Sequence, residues 1–142
     1  MRMIFAVCLV LIHLFAVSVE DARWIIDAAS SIDEGLFKAR SKGVPIVVVV
    51  IVKEGCSWCD LTVETTLSDE EVRETVEKSA VLVIDDFYAK RPYGFEATHT
   101  PTFFFVDART GSILDRVEGY LEPFVFRTLL MRAVMLYDRK SS

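Results

Sequence analysis

Seven consecutive β-branched residues, Ile46-Val47-Val48-Val49-Val50-Ile51-Val52, lead through Lys53-Glu54-Gly55 into Cys56-Ser57-Trp58-Cys59. Branching at Cβ crowds a helix and suits a pleated strand, and an unbroken apolar run suits a strand buried on both faces. Gly55 permits a sharp turn, and Asp60 to Thr66 can be helical, so both cysteines fall where a buried strand ends and a helix begins. At such a point free backbone N–H groups and the positive end of the helix dipole favour thiolate over thiol. The pair is therefore read as reactive.

The chain of 142 residues supports one compact domain. Met1-Arg2 is a short basic start, Met3 to Val17 is apolar except for His13, and Ala16-Val17-Ser18 has the small-x-small pattern of a signal-peptidase site. Residues 1–18 are read as a cleaved signal peptide. The competing reading is an uncleaved anchor over residues 3–19, slightly shorter than the ~20 residues that span a bilayer. Cys8 lies inside this apolar stretch. Residues 1–18 carry one arginine and no acid, so without them the formal net charge moves from −5 to −6. An acidic domain lacking a basic stripe argues against nucleic acid as partner.

The two remaining cysteines make no disulfide framework. A bridge between them closes a very short loop and constrains the unfolded chain little, so a structural staple is a poor account of the pair.

Ile25, Ala28, Ile32, Leu36 and Ala39 recur at helical spacing and predict one helix over 20–42, stopped by Gly43 and Pro45. Ser68-Asp69-Glu70-Glu71 reads as a capping box, Ser68 capping and Glu71 reaching back, for a helix from Asp69 to about Lys78. The helix after the cysteines is thus bent or broken near Leu67. Strands are predicted over 80–84, ended by a solvated Asp85-Asp86, then 102–107 and 112–118, the last two forming a hairpin. A final helix starts at Pro123, with Phe126, Leu129, Leu130, Ala133, Val134 and Tyr137 inward. The order αβαβ, irregular crossover, ββα predicts an α/β fold: a mixed sheet covered by helices on both faces.

That order resembles a thioredoxin-like fold, a three-layer sandwich, and is most similar to the exported, thioredoxin-related proteins of SoxW-like and DsbD-associated type. The residues that carry the likeness are Gly43-Val44-Pro45, Gly55 to Cys59, Thr66 to Val72, Thr100-Pro101-Thr102-Phe103-Phe104-Phe105-Val106-Asp107 and Glu118-Gly119-Tyr120-Leu121. The resemblance implies thiol–disulfide exchange with protein thiols and disulfides, Cys56 as nucleophile and Cys59 as resolving cysteine. It implies a cis Pro101 beside the pair, with Thr100 presenting its backbone to an extended segment of the partner. It also implies a periplasmic or other exported location, a membrane electron donor of DsbD type and no cofactor. Two departures stand out. Val50 occupies the position where many thioredoxins bury an aspartate, and Ser57-Trp58 replaces the common Gly-Pro. Trp58 is either a rim contact for substrate or a cover for the helix start. Trp24 is read as packing and Phe103-Phe104-Phe105 as core strand. Two other readings remain open: a Cu(I) or Zn(II) carrier using Cys56, Cys59 and His99, and a redox-dormant binding module.

Overall fold

The computed structural model of the chain describes residues 17–142. The segment read as a signal peptide or anchor thus lies, up to Ala16, outside the described residues. Of its end, Ser18 accepts the Asp21 N–H as helix cap, and Val17 and Val19 pack against the core. Among the described residues no helix is long and apolar enough to cross a membrane.

The β-branched run is strand β1, Ile46–Val52, buried along its whole length. It is central. Strand β2, Ala80–Asp86, pairs parallel on one side, and β3, Thr102–Asp107, antiparallel on the other. Strand β4, Ile113–Glu118, completes the order β2-β1-β3-β4 as the antiparallel partner of β3. Side chains alternate across the sheet. Val48, Val50, Leu82, Ile84, Phe103 and Phe105 fill one core layer; Val47, Val49, Val83, Phe104 and Val106 fill the other. Helix α2, Ile32–Lys42, covers the second layer, while α4, Glu70–Ser79, and α5, Pro123–Lys140, cover the first. Phe126, Leu130 and Ala133 are the buried face of α5, and the triple phenylalanine is core strand, both as the sequence predicts.

Four expectations are corrected. The helix over 20–42 is two: α1, Val19–Ile25, and α2. Between them Asp27 takes a left-handed φ of 51°, and Ala29 forms a single parallel bridge to Val83. Ser31 then starts α2 by accepting the Glu34 N–H, and the Glu34 carboxylate accepts from Ser30. A serine that accepts the Glu34 N–H and a Glu34 carboxylate that reaches back to the Ser30 N–H outweigh a periodicity that happens to run across the break. Trp24 is 87% exposed rather than packed, because the short α1 turns Ala22 to the core. The cap of α4 is Asp69, which accepts from Val72 N; Ser68 instead donates to Val63 O, and Glu71 pairs with Arg127. Asp85 is not a solvated strand end but lies buried within β2 beside Ile51. Burial raises its pKa against the opposing pull of Arg91, whose guanidinium is 3.8 Å away.

Arg91 organises the irregular stretch after β2 by donating to three carbonyls, those of Asp86, Phe87 and Phe95. A guanidinium offers several fixed donors, which suits a loop with no ladder of its own.

At Gly35, α2 sits on the sheet so closely that a Cβ there would fall well inside the contact distance of Val83 Cγ2 and press on Val47 Cγ1. Gly35→Ala gains about 1 kcal/mol of helix propensity but overpacks against Val83 of β2 and Val47 of β1, at a cost of ~1–3 kcal/mol. We expect net destabilisation, read as a lower denaturant midpoint with an unchanged slope; a stability gain would contradict this packing.

Candidate active site

Cys56 is the N-cap of helix α3, Ser57–Leu61, at the end of the turn that follows β1. Cys56 and Cys59 are joined as a disulfide, their Cα atoms 5.2 Å apart. The two sulfurs have unlike surroundings: Cys56 is half-buried, whereas Cys59 is 3% exposed and belongs to the core layer that contains Val50. Cys59 N–H donates to Cys56 Sγ at 3.2 Å.

The helix does not continue regularly. Thr62–Leu67 is a π-helical segment, and the chain breaks at Ser68 before α4, near the Leu67 position read from the sequence. Thr62 donates to Trp58 O and Thr65 to Leu61 O, hydroxyl-to-carbonyl bonds one turn back that bend helices. The buried Thr66 hydroxyl donates instead to Leu121 O, tying this segment to the connection between β4 and α5.

The second wall of the site comes from the start of β3. Pairing of Ile51 with Thr102 brings that strand's entry beside the exit of β1. The Thr100–Pro101 peptide is cis. Thr100 Oγ1 donates to Cys56 Sγ at 3.3 Å, and Thr100 O lies 3.5 Å from the same sulfur. In the disulfide that sulfur has no proton to give, so the carbonyl approach is a contact; in the dithiol, Cys56 can donate to it.

Trp58 is 58% exposed and packs against Tyr120, ring centroids 5.7 Å apart, while the Tyr120 hydroxyl lies 2.9 Å from Thr65 Oγ1. Sequence reasoning gave Tyr120 no role of its own. The available signal was Gly119-Tyr120 immediately after the hairpin strand, which returns the chain to the end of the sheet that carries the cysteines.

His99 is not brought to the sulfurs as a third ligand. Its ring Nδ1 lies 3.4 Å from Glu118 Oε2 and 3.0 Å from Thr98 Oγ1. Glu118 is itself held below the usual carboxylate range, chiefly by the hydrogen bond from Arg116. Among the described residues no group of three His, Cys, Asp or Glu side chains is placed to hold a metal ion. Asp85 cannot serve Cys59 either: it shares the register of Ile51, whose face of the sheet is the one opposite the Cys59 layer.

The arrangement can do sulfur exchange. One sulfur is reachable, receives two hydrogen bonds and caps a helix, all of which favour its anionic form. The other is within bonding distance and shielded from solvent.

Known proteins share this architecture. The chain resembles a thioredoxin from Thermus thermophilus with 22% identity and a TM-score of 0.66, covering 80% of this chain and 91% of that one. It resembles the oxidoreductase DsbH with 19% identity and a TM-score of 0.57, covering 78% and 89%. It also resembles the oxidised C-terminal domain of DsbD from Neisseria meningitidis, with 21% identity and a TM-score of 0.53, covering 69% and 88%. No curated protein matches the sequence. At these identities the likeness is one of fold. The family model described as a thioredoxin-like domain matches residues 32–133, from the start of α2 into α5, and the chain belongs to that family.

Proposed function

We propose that the chain is an exported thiol–disulfide oxidoreductase that exchanges the Cys56–Cys59 pair with protein substrates. The observation that carries this reading is the asymmetry of the two sulfurs: Cys56 is half-buried with donors from Cys59 N and Thr100 Oγ1, and Cys59 is enclosed. In the reducing direction the Cys56 thiolate attacks one sulfur of a substrate disulfide. The substrate S–S bond breaks, its other sulfur leaves as thiolate and takes up a proton, and a mixed disulfide forms. Deprotonated Cys59 then attacks Cys56 Sγ, the second substrate sulfur leaves and is protonated, and two electrons have passed from the pair to the substrate. The oxidising direction reverses each step.

Thr100 and Pro101 are proposed as the edge against which an extended substrate segment lies, and Trp58, with Tyr120 behind it, as the neighbouring contact. Export is supported by the basic-then-apolar start of the sequence and the Ala16-Val17-Ser18 step, with residues 19–142 as the working domain. A membrane dithiol donor of DsbD type is the proposed electron source.

Cys59→Ser is expected to accumulate a mixed disulfide through Cys56, seen by mass spectrometry as an adduct released by dithiothreitol, while Cys56→Ser forms none. An adduct on neither variant would sink the assignment. Loss of the Thr100 hydroxyl tests the electrostatics. A hydrogen bond to a charged group contributes ~1.5–3 kcal/mol, or about 1–2 pKa units before solvent screening. In Thr100→Val the Cys56 pKa should therefore rise by about one unit, followed by ultraviolet thiolate absorbance against pH. An unchanged midpoint would show that the hydroxyl does not stabilise the thiolate.

A further inference from the structure

Three residues between β4 and α5, Gly119-Tyr120-Leu121, touch both walls of the cysteine site. Gly119 N–H donates to Pro101 O at 2.8 Å, one rung beyond the Thr102–Glu118 pair, so the β3–β4 ladder extends onto the Thr100–Pro101 step. Gly119 takes a left-handed φ of 92°, which glycine adopts without a Cβ clash, and the next two residues meet the helix that carries the cysteines. Leu121 is buried in the core, and its carbonyl accepts from the buried Thr66 hydroxyl. The backbone on either side of residue 120 is therefore held by groups that do not involve the Tyr120 side chain.

That side chain reaches two other points of the same helical stretch. Its ring packs on Trp58, and its hydroxyl lies 2.9 Å from Thr65 Oγ1. The direction of the hydroxyl bond follows from the proton count. Thr65 gives its single hydroxyl proton to Leu61 O at 2.7 Å, so Tyr120 donates to Thr65 and not the reverse. Tyr120 is thus fixed at its far end as well as at its backbone. Trp58 is not: it stands on the first turn of α3, is 58% exposed, and has Tyr120 as its aromatic contact among the described residues. A large, mostly solvated side chain loses rotamer freedom when a ligand immobilises it, and one ordered beforehand loses less.

We propose that Tyr120 is a positioning residue for substrate. Its ring holds the Trp58 indole in place at the rim, its hydroxyl holds the ring through Thr65, and the segment that carries the substrate disulfide meets a wall already ordered. The inference rests on the exchange reading above and adds the residue that sets affinity without touching sulfur. Its effect falls on disulfides whose flanking chain extends as far as Trp58, and is weakest for those that end at the sulfurs.

The test compares two disulfides, using the full chain with dithiothreitol as reductant and its direct reaction subtracted. One is hydroxyethyl disulfide, which has no chain to lay along the rim. The other is the oxidised dimer of the blocked peptide acetyl-Gly-Val-Cys-Val-Gly-amide. In Tyr120→Leu the ratio of kcat/KM for the peptide to that for hydroxyethyl disulfide should fall roughly tenfold, carried by KM and not by kcat, the scale of one aromatic pair with one hydrogen bond. Tyr120→Phe keeps the ring and loses the hydroxyl, and should lower the ratio about threefold. Tyr120→Leu introduced into Trp58→Ala should lower it no further, because nothing is left to position. Turnover of hydroxyethyl disulfide reports that a variant is folded; if Tyr120→Leu is not, Tyr120→Phe carries the test. An unchanged ratio in the folded Tyr120 variants would overturn the proposal while the exchange reading stands. So would an undiminished effect of Tyr120→Leu in Trp58→Ala. Wild-type protein that reduces neither disulfide would overturn the exchange reading and this inference with it.

Discussion

Two hydrogen bonds meet at Cys56 Sγ, one from the cysteine's own helix and one from a residue 44 positions further along the chain. The second exists only because β1 and β3 are antiparallel neighbours, so that the end of one strand and the beginning of the other occupy the same place. That adjacency depends in turn on the β-branched run being buried on both faces, which is why the site depends on a strand that contributes no polar atom to it.

The same burial fixes the character of the second cysteine. Cys59 enters the layer of Val50, Ile84 and Phe103, and the buried carboxylate of β2, Asp85, projects to the opposite layer with Arg91. The one buried carboxylate on the Cys59 side of the sheet among the described residues is Asp107, which stands opposite Ile46 at the other end of β1 and is held by Arg109. Desolvation disfavours the thiolate there, whereas at Cys56 the helix terminus and two donors favour it. Attack and resolution are thereby divided between the sulfurs by environment, not by residue type.

Features governed by single residues or by unbroken patterns were legible in advance. The Val-rich run, the hairpin of β3 and β4, the inward stripe of α5 and the left-handed Gly43 all specify their conformation locally. What was not legible depended on competition or on distant partners. At Ser30-Ser31 a helical period continued across a capping site, and the cap won. At Ser68-Asp69 two adjacent residues could cap α4; the choice was decided by Val63 O, which engages Ser68, and by Arg127, which engages Glu71. Asp85 reads as a polar strand end until Arg91 is brought to it by a loop with no periodic pattern. Around the site, Cys56, Cys59, Trp58, Thr100 and Pro101 lie at one end of the sheet, whereas the stack of Tyr120 on Trp58 and the Thr66 tether, the latter across 55 residues, join distant segments and leave no local signature.

The unequal treatment of the two sulfurs is the centre of this account, and alkylation of the reduced protein reads it directly. With limiting iodoacetamide near neutral pH, Cys56 should be modified at least roughly tenfold faster than Cys59, with a pH midpoint below the ~8.5 of a free cysteine. Equal rates at the two cysteines, or a Cys56 midpoint at or above that value, would contradict it.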